Sequence, residues 1–327
     1  MPPVATPQHI RFGIKTTPTS TTWEAIRDTW RLAERLGFDS AYLFDHMMPP
    51  SGDRSAACYE AWTTLSALAT QVPRLQVGIL VTANTYRYPS VLAKMAATLD
   101  VISGGRLELG LGAAWFEPDH LGYGIPFPPT AERISRLEEA CQVIRMLWTQ
   151  DVSNFKGKYF ELVEAYCEPK PVRKPHPPIL LGGGGERLTL RVVARQADAW
   201  NIFQLSPAAF AHKSELIDRY CDEAGRDPQS IEKSINAALA MAANPKDAEQ
   251  VLNRIAKRRG EDPEVAKATM LAGTSSEVIE QVAAYLGAGA RHVVLSLQAP
   301  YETEQLEQFA VEVMPVFRRS AISKSGS

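Results

Sequence analysis

Cysteine is scarce in this chain: there are 4 in 327 residues, and Cys58, Cys141, Cys167 and Cys221 stand far apart with no CxxC pair. That speaks against a disulfide framework and a cysteine-based zinc site, and it fits a reducing, cytoplasmic setting. An excess of positive charge is missing too, since 35 Lys and Arg face 37 Asp and Glu for a net charge of −2. Without a basic stripe or tail, neither nucleic acid nor an anionic membrane is the expected partner, which leaves a small molecule. No apolar run approaches the roughly 18 residues of a membrane span. The proline-rich start, Met1 to His9, lacks the charged-then-apolar pattern of an export signal. The histidines form no HxH or HExxH pair, so no metal site is expected. His9, His176, His212 and His292 read as structural.

What is present is a hydrophobic share of 45%, enough for a large core without staples. Short apolar runs alternate with amphipathic helical stretches, the pattern of βα units and a parallel sheet. Strands are expected at Ile10 to Lys15, Ser40 to Phe44, Leu75 to Thr82, Leu107 to Leu111, Ile179 to Gly182, Ala199 to Phe203, Ile235 to Met241 and His292 to Leu297. They are continuous runs, as strands buried on both faces should be. The clearest helix starts at Thr130, with Ile134, Leu137, Ala140, Ile144 and Leu147 on one face and Arg133, Arg136 and Glu139 on the other. Length alone allows two domains. About eight βα units close most economically into one α/β TIM barrel, whose active site lies at the C-terminal ends of its strands. A doubly wound dinucleotide fold would carry GxGxxG after the first strand, where this chain has IKTTPTSTT. The expected organisation is a single domain over 1–327, with a barrel at 9–319 and solvated tails at 1–8 and 320–327. Insertions near 155–178 and 242–273 are expected to cover the barrel mouth.

Four strand ends carry chemistry. In LFDHMMPP, Asp45 can orient His46 and let it exchange a proton near neutral pH; the alternative is a turn cap beside a surface histidine. In LVTANTYRYP, Leu80 and Val81 run into Thr82, Ala83 and Asn84, which can bring backbone close to a flat ring, or else form an ordinary loop with Asn84 as a turn residue. In GGRLELGLGAAWFEPDH, Gly110 and Gly112 clear space at the strand exit, for a ligand or for crowding inside the barrel. Trp115, Glu117 and His120 follow with a stacking surface and two proton-transfer groups. In ILLGGGGERL, the glycines Gly182, Gly183, Gly184 and Gly185 free backbone N–H groups at a helix start, a phosphate-binding arrangement that is not a Walker loop because no GK[ST] follows.

Taken in order, FDH at 44–46, VTANTYRYP at 81–89, GGRLELGLGAAWFEPDHLGYGIPF at 104–127, EPKPVRKPHPPILLGGGGERLTLRVVARQADAWN at 168–201 and GARHVVLSL near the end resemble the luciferase-like monooxygenase superfamily. Within it, the chain resembles the coenzyme F420-dependent oxidoreductase branch, over roughly residues 10–318. The resemblance implies a bacterial-luciferase-like TIM barrel with insertions, a deazaflavin ring in its mouth and a homodimer. By the same resemblance, Asp45 and His46 stand beside cofactor and substrate, and Leu80 to Ala83 hold a bulge with a non-prolyl cis peptide at Leu80–Val81. Gly182 to Glu186 take the cofactor phosphate, while Gly112 and Trp115, from the cleared space and stacking surface above, are further candidates for holding the cofactor. One position departs from the pattern. Related F420-dependent sugar-phosphate dehydrogenases place a glutamate directly after the glycine matching Gly112, where this chain has Ala113, and an asparagine where it has Phe116. The candidate proton carriers are therefore His46, then Glu117 and His120.

A deazaflavin passes hydride in two-electron steps and reacts poorly with oxygen, so the implied function is F420-dependent hydride transfer to or from a small organic substrate. Two alternatives stand beside it: an FMN-dependent monooxygenase on the same barrel, or a barrel that binds a flavin without catalysis.

Overall fold

The strands that build the central sheet are largely buried, and each pairs in parallel with the next. The computed structural model describes residues 10–323. Its strands are Arg11–Thr16 (β1), Ser40–Leu43 (β2), Gln76–Ile79 (β3), Thr82–Ala83 (β4), Leu107–Gly112 (β5), Ser153–Lys156 (β6), Glu161–Ala165 (β7), Ile179–Gly182 (β8), Ala199–Phe203 (β9), Glu232–Met241 (β10), Leu271–Gly273 (β11) and His292–Leu297 (β12). The helices are Trp23–Arg35 (α1), Ala61–Ala69 (α2), Pro89–Ser103 (α3), Glu117–Gly122 (α4), Thr130–Thr149 (α5), Thr189–Gln196 (α6), Pro207–Glu223 (α7), Pro245–Arg259 (α8), Pro263–Thr269 (α9), Ser275–Gly287 (α10), Thr303–Gln308 (α11) and Met314–Ser323 (α12). The order β1-β2-β3-β5-β8-β9-β10-β12 closes on itself, because β12 pairs with both β10 and β1. This is the expected parallel TIM barrel.

Strand alternation sorts the side chains into two cores. Phe12 and Ile14 face outward into the layer beneath the helices, where Phe12 meets Phe309 edge-on at 5.6 Å. Inside the barrel, Tyr42, Leu80, Leu180, Ala199 and Val294 form a separate apolar plug. Below the plug lies a charged floor, with Arg11 held between Glu108 at 2.7 Å and Glu232 at 2.8 Å, and Tyr42 donating to Glu108. Helix α1 illustrates the outer layer: Thr22 caps its start by accepting from Ala25 N, and Ile26, Trp30 and Ala33 bury one stripe.

The two insertions lie at opposite ends of the barrel. Segment 242–273 becomes α8, α9 and β11, which pack on the long C-terminal half of β10 and bring Arg259 and Glu261 to the mouth. Segment 155–178 does not cover the mouth. It includes most of a β6–β7 hairpin on the flank, tied to α5 through Glu139, and a proline-rich stretch reaching Gln76 at the start of β3 through Arg173. Among the described residues, none of that segment lines the mouth cavity. The reason is topological: it joins the end of a helix to the start of a strand, and such connections belong to the barrel's N-terminal rim.

Residues 320–323, expected in the C-terminal tail, lie in α12; residues 1–8, His9 and 324–327 lie outside the described residues. Arg133, expected on the exposed face of α5, is instead 7% exposed.

Candidate active site

The C-terminal ends of the barrel strands enclose a cavity of about 650 Å³, within the range of small-molecule sites. Its floor is shaped by a break in the third strand. The strand expected to run unbroken from Leu75 to Thr82 is split into β3 and β4 by a cis peptide at Leu80–Val81, the bond that the resemblance implied. Backbone bonds from Leu80 N to Leu43 O and from Asn84 N to Gly112 O tie both sides of the break to neighbouring strands. The break turns Val81 into the barrel, and this explains the glycines around it. A Cβ on Gly112 would lie 2.7 Å from Val81 Cγ2, and one on Gly182 would lie 2.9 Å from both Val81 methyls. A Cβ on Gly110 would collide with Ile79 O. The space at Gly110 and Gly112 is therefore occupied by the chain itself.

Asp45 and His46 do not interact as expected. Asp45 turns to Arg87, at 2.6 Å, and accepts from Ala83 N at 3.0 Å. Burial pushes its carboxyl up from the ordinary value, with Arg87 pulling against it. His46 faces the cavity, and its Nδ1 lies 2.7 Å from Asp119 Oδ2. Tyr86 donates to the same oxygen at 2.7 Å, and the N–H groups of Met47 and Met48 reach Oδ1. Burial works against the Asp119 charge, but hydrogen bonds from His46 and Tyr86 outweigh it and hold the carboxyl below its usual range. An ionised Asp119 accepts, so His46 donates from Nδ1 and Nε2 is left to exchange a proton. Among the described residues Nε2 has no hydrogen-bond partner. Phe44, Trp115 and Phe116 meet the imidazole edge-on.

The other two proton-carrier candidates lie elsewhere. His120 is fully buried with both ring nitrogens engaged, by Phe116 O at 3.0 Å and Thr85 Oγ1 at 2.7 Å, and burial lowers its pKa. Glu117 is exposed in the first turn of α4, and neither residue lines the cavity. Trp115 does line it, 68% exposed, on a turn where Ala114 takes a left-handed φ of +60°. That conformation costs an alanine about 1 kcal/mol, and Arg133 holds the turn by donating to Ala113 O at 3.1 Å.

The glycine run divides. Gly182 and Gly183 line the cavity together with Thr189 of α6, while Gly184, Gly185 and Glu186 do not line it. Gly183 has φ +124°, open to glycine but strained for other residues. Lys213, absent from the sequence-based expectations, contacts Gly184 O and Glu186, both at 2.9 Å. Leu80, Val81, Thr82 and Ala83 line the cavity as expected; Asn84 is buried behind them.

Two cations were also missed. Lys15 at the end of β1 and Arg259 at the end of α8 flank the ring of Phe203, at 5.0 Å and 5.3 Å from its centre. Burial, with Arg259 nearby, lowers the Lys15 ammonium to about 8. A lysine two positions beyond the inward-facing Gly13 was the available signal, because alternate strand residues share a face.

Residues 6–292 match the luciferase-like monooxygenase family. The chain is 30% identical to an F420-dependent glucose-6-phosphate dehydrogenase of Amycolatopsis mediterranei, over 88% of this chain and 92% of that one. It is 32% identical to a phthiodiolone/phenolphthiodiolone dimycocerosates ketoreductase of Mycobacterium tuberculosis, over 70% of this chain and 64% of that one. The solved structure of an F420-dependent secondary alcohol dehydrogenase, in complex with an F420-acetone adduct, matches with a TM-score of 0.85. It is 21% identical, over 95% of this chain and 99% of that one, and supports the fold. With the family match spanning most of the barrel, the chain belongs to the luciferase-like monooxygenase family.

Proposed function

We propose that this protein is an F420-dependent oxidoreductase that passes a hydride between the deazaflavin and a small organic substrate. The observation that carries the proposal is His46, held by Asp119 and facing the same cavity as the Leu80–Val81 bulge. The F420-dependent relative, similar over 88% of the chain, supports the choice of cofactor. The cavity residues fit such a group. Thr82 Oγ1 is buried there without a hydrogen-bond partner, and Gly183 leaves backbone uncovered beside Thr189. Leu80 to Ala83, Gly112 and Trp115 would hold the ring, with Gly182, Gly183 and Thr189 toward the phosphate.

When bound, F420 supplies or accepts the hydride. His46 gives or takes the coupled proton at Nε2, Asp119 fixes the imidazole's orientation and tautomer, and Trp115 and Phe116 restrict water around it. Glucose 6-phosphate is not carried over as substrate, because Ala113 and Phe116 replace the acid and amide of the sugar-phosphate enzymes. The proposal takes 9–319 as one barrel unit, supported by the closed strand circuit. It also takes the enzyme as a cytoplasmic homodimer, supported by free thiols at all four cysteines and by exposed Val91 and Ile102 on α3. No helix among the described residues is long and apolar enough to cross a membrane.

The test mixes apoprotein with F420 and, separately, with FMN, and follows fluorescence quenching. Saturable F420 quenching is expected. Tight FMN binding without an F420 response would overturn the proposal in favour of the FMN-dependent monooxygenase.

A further inference from the structure

The cavity wall divides into two arcs of adjacent strands. β2, β3 with β4, β5 and β8 carry His46, the bulge, Gly112 and Gly182, the residues assigned above to proton transfer and cofactor. The remaining arc, β9, β10, β12 and β1, carries Phe203, Asn236, Ser296 and Lys15, with Arg259 and Glu261 arriving from the segment after β10. Nothing in the hydride chemistry accounts for the charges of this second arc.

Their arrangement is specific. Arg259 pairs with Glu261 at 3.0 Å, so its charge is offset locally. Lys15 has only the Phe203 ring against it; among the described residues no carboxylate lies within ion-pair distance of its ammonium. The arc is left with one uncompensated positive charge, partly withdrawn from water. Asn236 lines the same cavity, is 2% exposed, and its Oδ1 is buried without a hydrogen-bond partner; as an acceptor it calls for a donor hydrogen elsewhere on the ligand and not for an anionic oxygen. A polar atom in that position costs about 1–3 kcal/mol unless something satisfies it.

From the unpaired ammonium in this wall we infer that Lys15, beside Arg259, is the seat for the carboxylate of a monoanionic substrate. The inference deepens the proposed function and rests on it. A single net positive charge matches one carboxylate, whereas a phosphate dianion would leave a negative charge without a partner there. The two arcs then have separate tasks, with one anchoring the acid group and the other holding the reacting centre near His46 and the cofactor.

The experiment uses the F420-loaded protein with benzoate, the uncharged benzamide and inorganic phosphate as probes, each titrated by calorimetry. Benzoate is expected to bind at least tenfold more tightly than benzamide and more tightly than phosphate. Lys15→Met is expected to remove the preference for benzoate, while Lys15→Arg keeps most of it and both variants retain F420 quenching. Equal binding of benzoate and benzamide to the unmodified protein would overturn the subsite, and tighter phosphate binding would overturn its assignment to a carboxylate. A full benzoate preference in Lys15→Met would remove Lys15 from it. Failure of F420 to bind at all would instead count against the oxidoreductase proposal, so the two failures are distinguishable.

Discussion

His46 Nδ1 and Asp119 Oδ2 lie 2.7 Å apart across 73 residues of sequence. The carboxylate that orients the imidazole is thus a remote one, and the adjacent Asp45 is committed to Arg87.

Asp119 acts through His46, as a positioning residue. Asp119→Asn should lower kcat about 100-fold, the lower end of what positioned proton transfer contributes, with KM and F420 quenching little changed. Steady-state kinetics check the split between kcat and KM, and a matching loss of F420 quenching would reduce Asp119 to a packing role. Asp119→Glu should restore part of the rate.

The bulge and its glycines should behave as one packing unit. Gly112→Ala places a Cβ 2.7 Å from Val81 Cγ2, and overpacking of this kind costs roughly 1–3 kcal/mol. In a Val81→Ala background the nearest remaining contact is Gly182 O at 3.8 Å, so the same substitution should become nearly neutral. Urea unfolding of the two single variants and the double variant measures the coupling, and strict additivity would disprove it.

Under the barrel, Glu232 links stability to pH. Burial raises its carboxyl, but His292 and Arg11 more than reverse this and bring it from 4.5 to about 2. A depressed carboxyl stabilises the fold above its unfolded value and loses that contribution as pH falls through the folded one. Glu232→Gln should therefore unfold more easily at neutral pH, and its deficit should close as pH drops from 4.5 toward 2. Chemical denaturation at several pH values reads this directly, and a constant deficit would point to shape instead of charge.

The barrel was legible because each strand holds a short run of buried apolar residues between helical stretches, so hydropathy marked where it lies. The third strand was marked but not its interruption, since Ile79 to Thr82 are as apolar as an unbroken strand; only family resemblance located the cis bond. His46 was legible from its position at a strand end. Its partner was not, because neighbouring residues in extended chain point apart and Asp119 arrives on a short helix after a separate strand. The glycines of β5 announced a need for space without revealing that Val81 fills it. Lys15 was hidden in a run that reads as core, where a single charge seems incidental until the barrel closes around it.

Val81 also sets the terms on which this site can diverge. Gly110 is fixed by the backbone carbonyl of Ile79 and has no freedom, whereas Gly112 and Gly182 are held small only by two methyl groups on one side chain. Positions 81, 112 and 182 should therefore co-vary among descendants of this sequence, with larger residues at the latter two allowed only after 81 shrinks. A mutant library aimed at this floor will recover folded members if it varies the three positions jointly, and will discard most of them if it varies each alone.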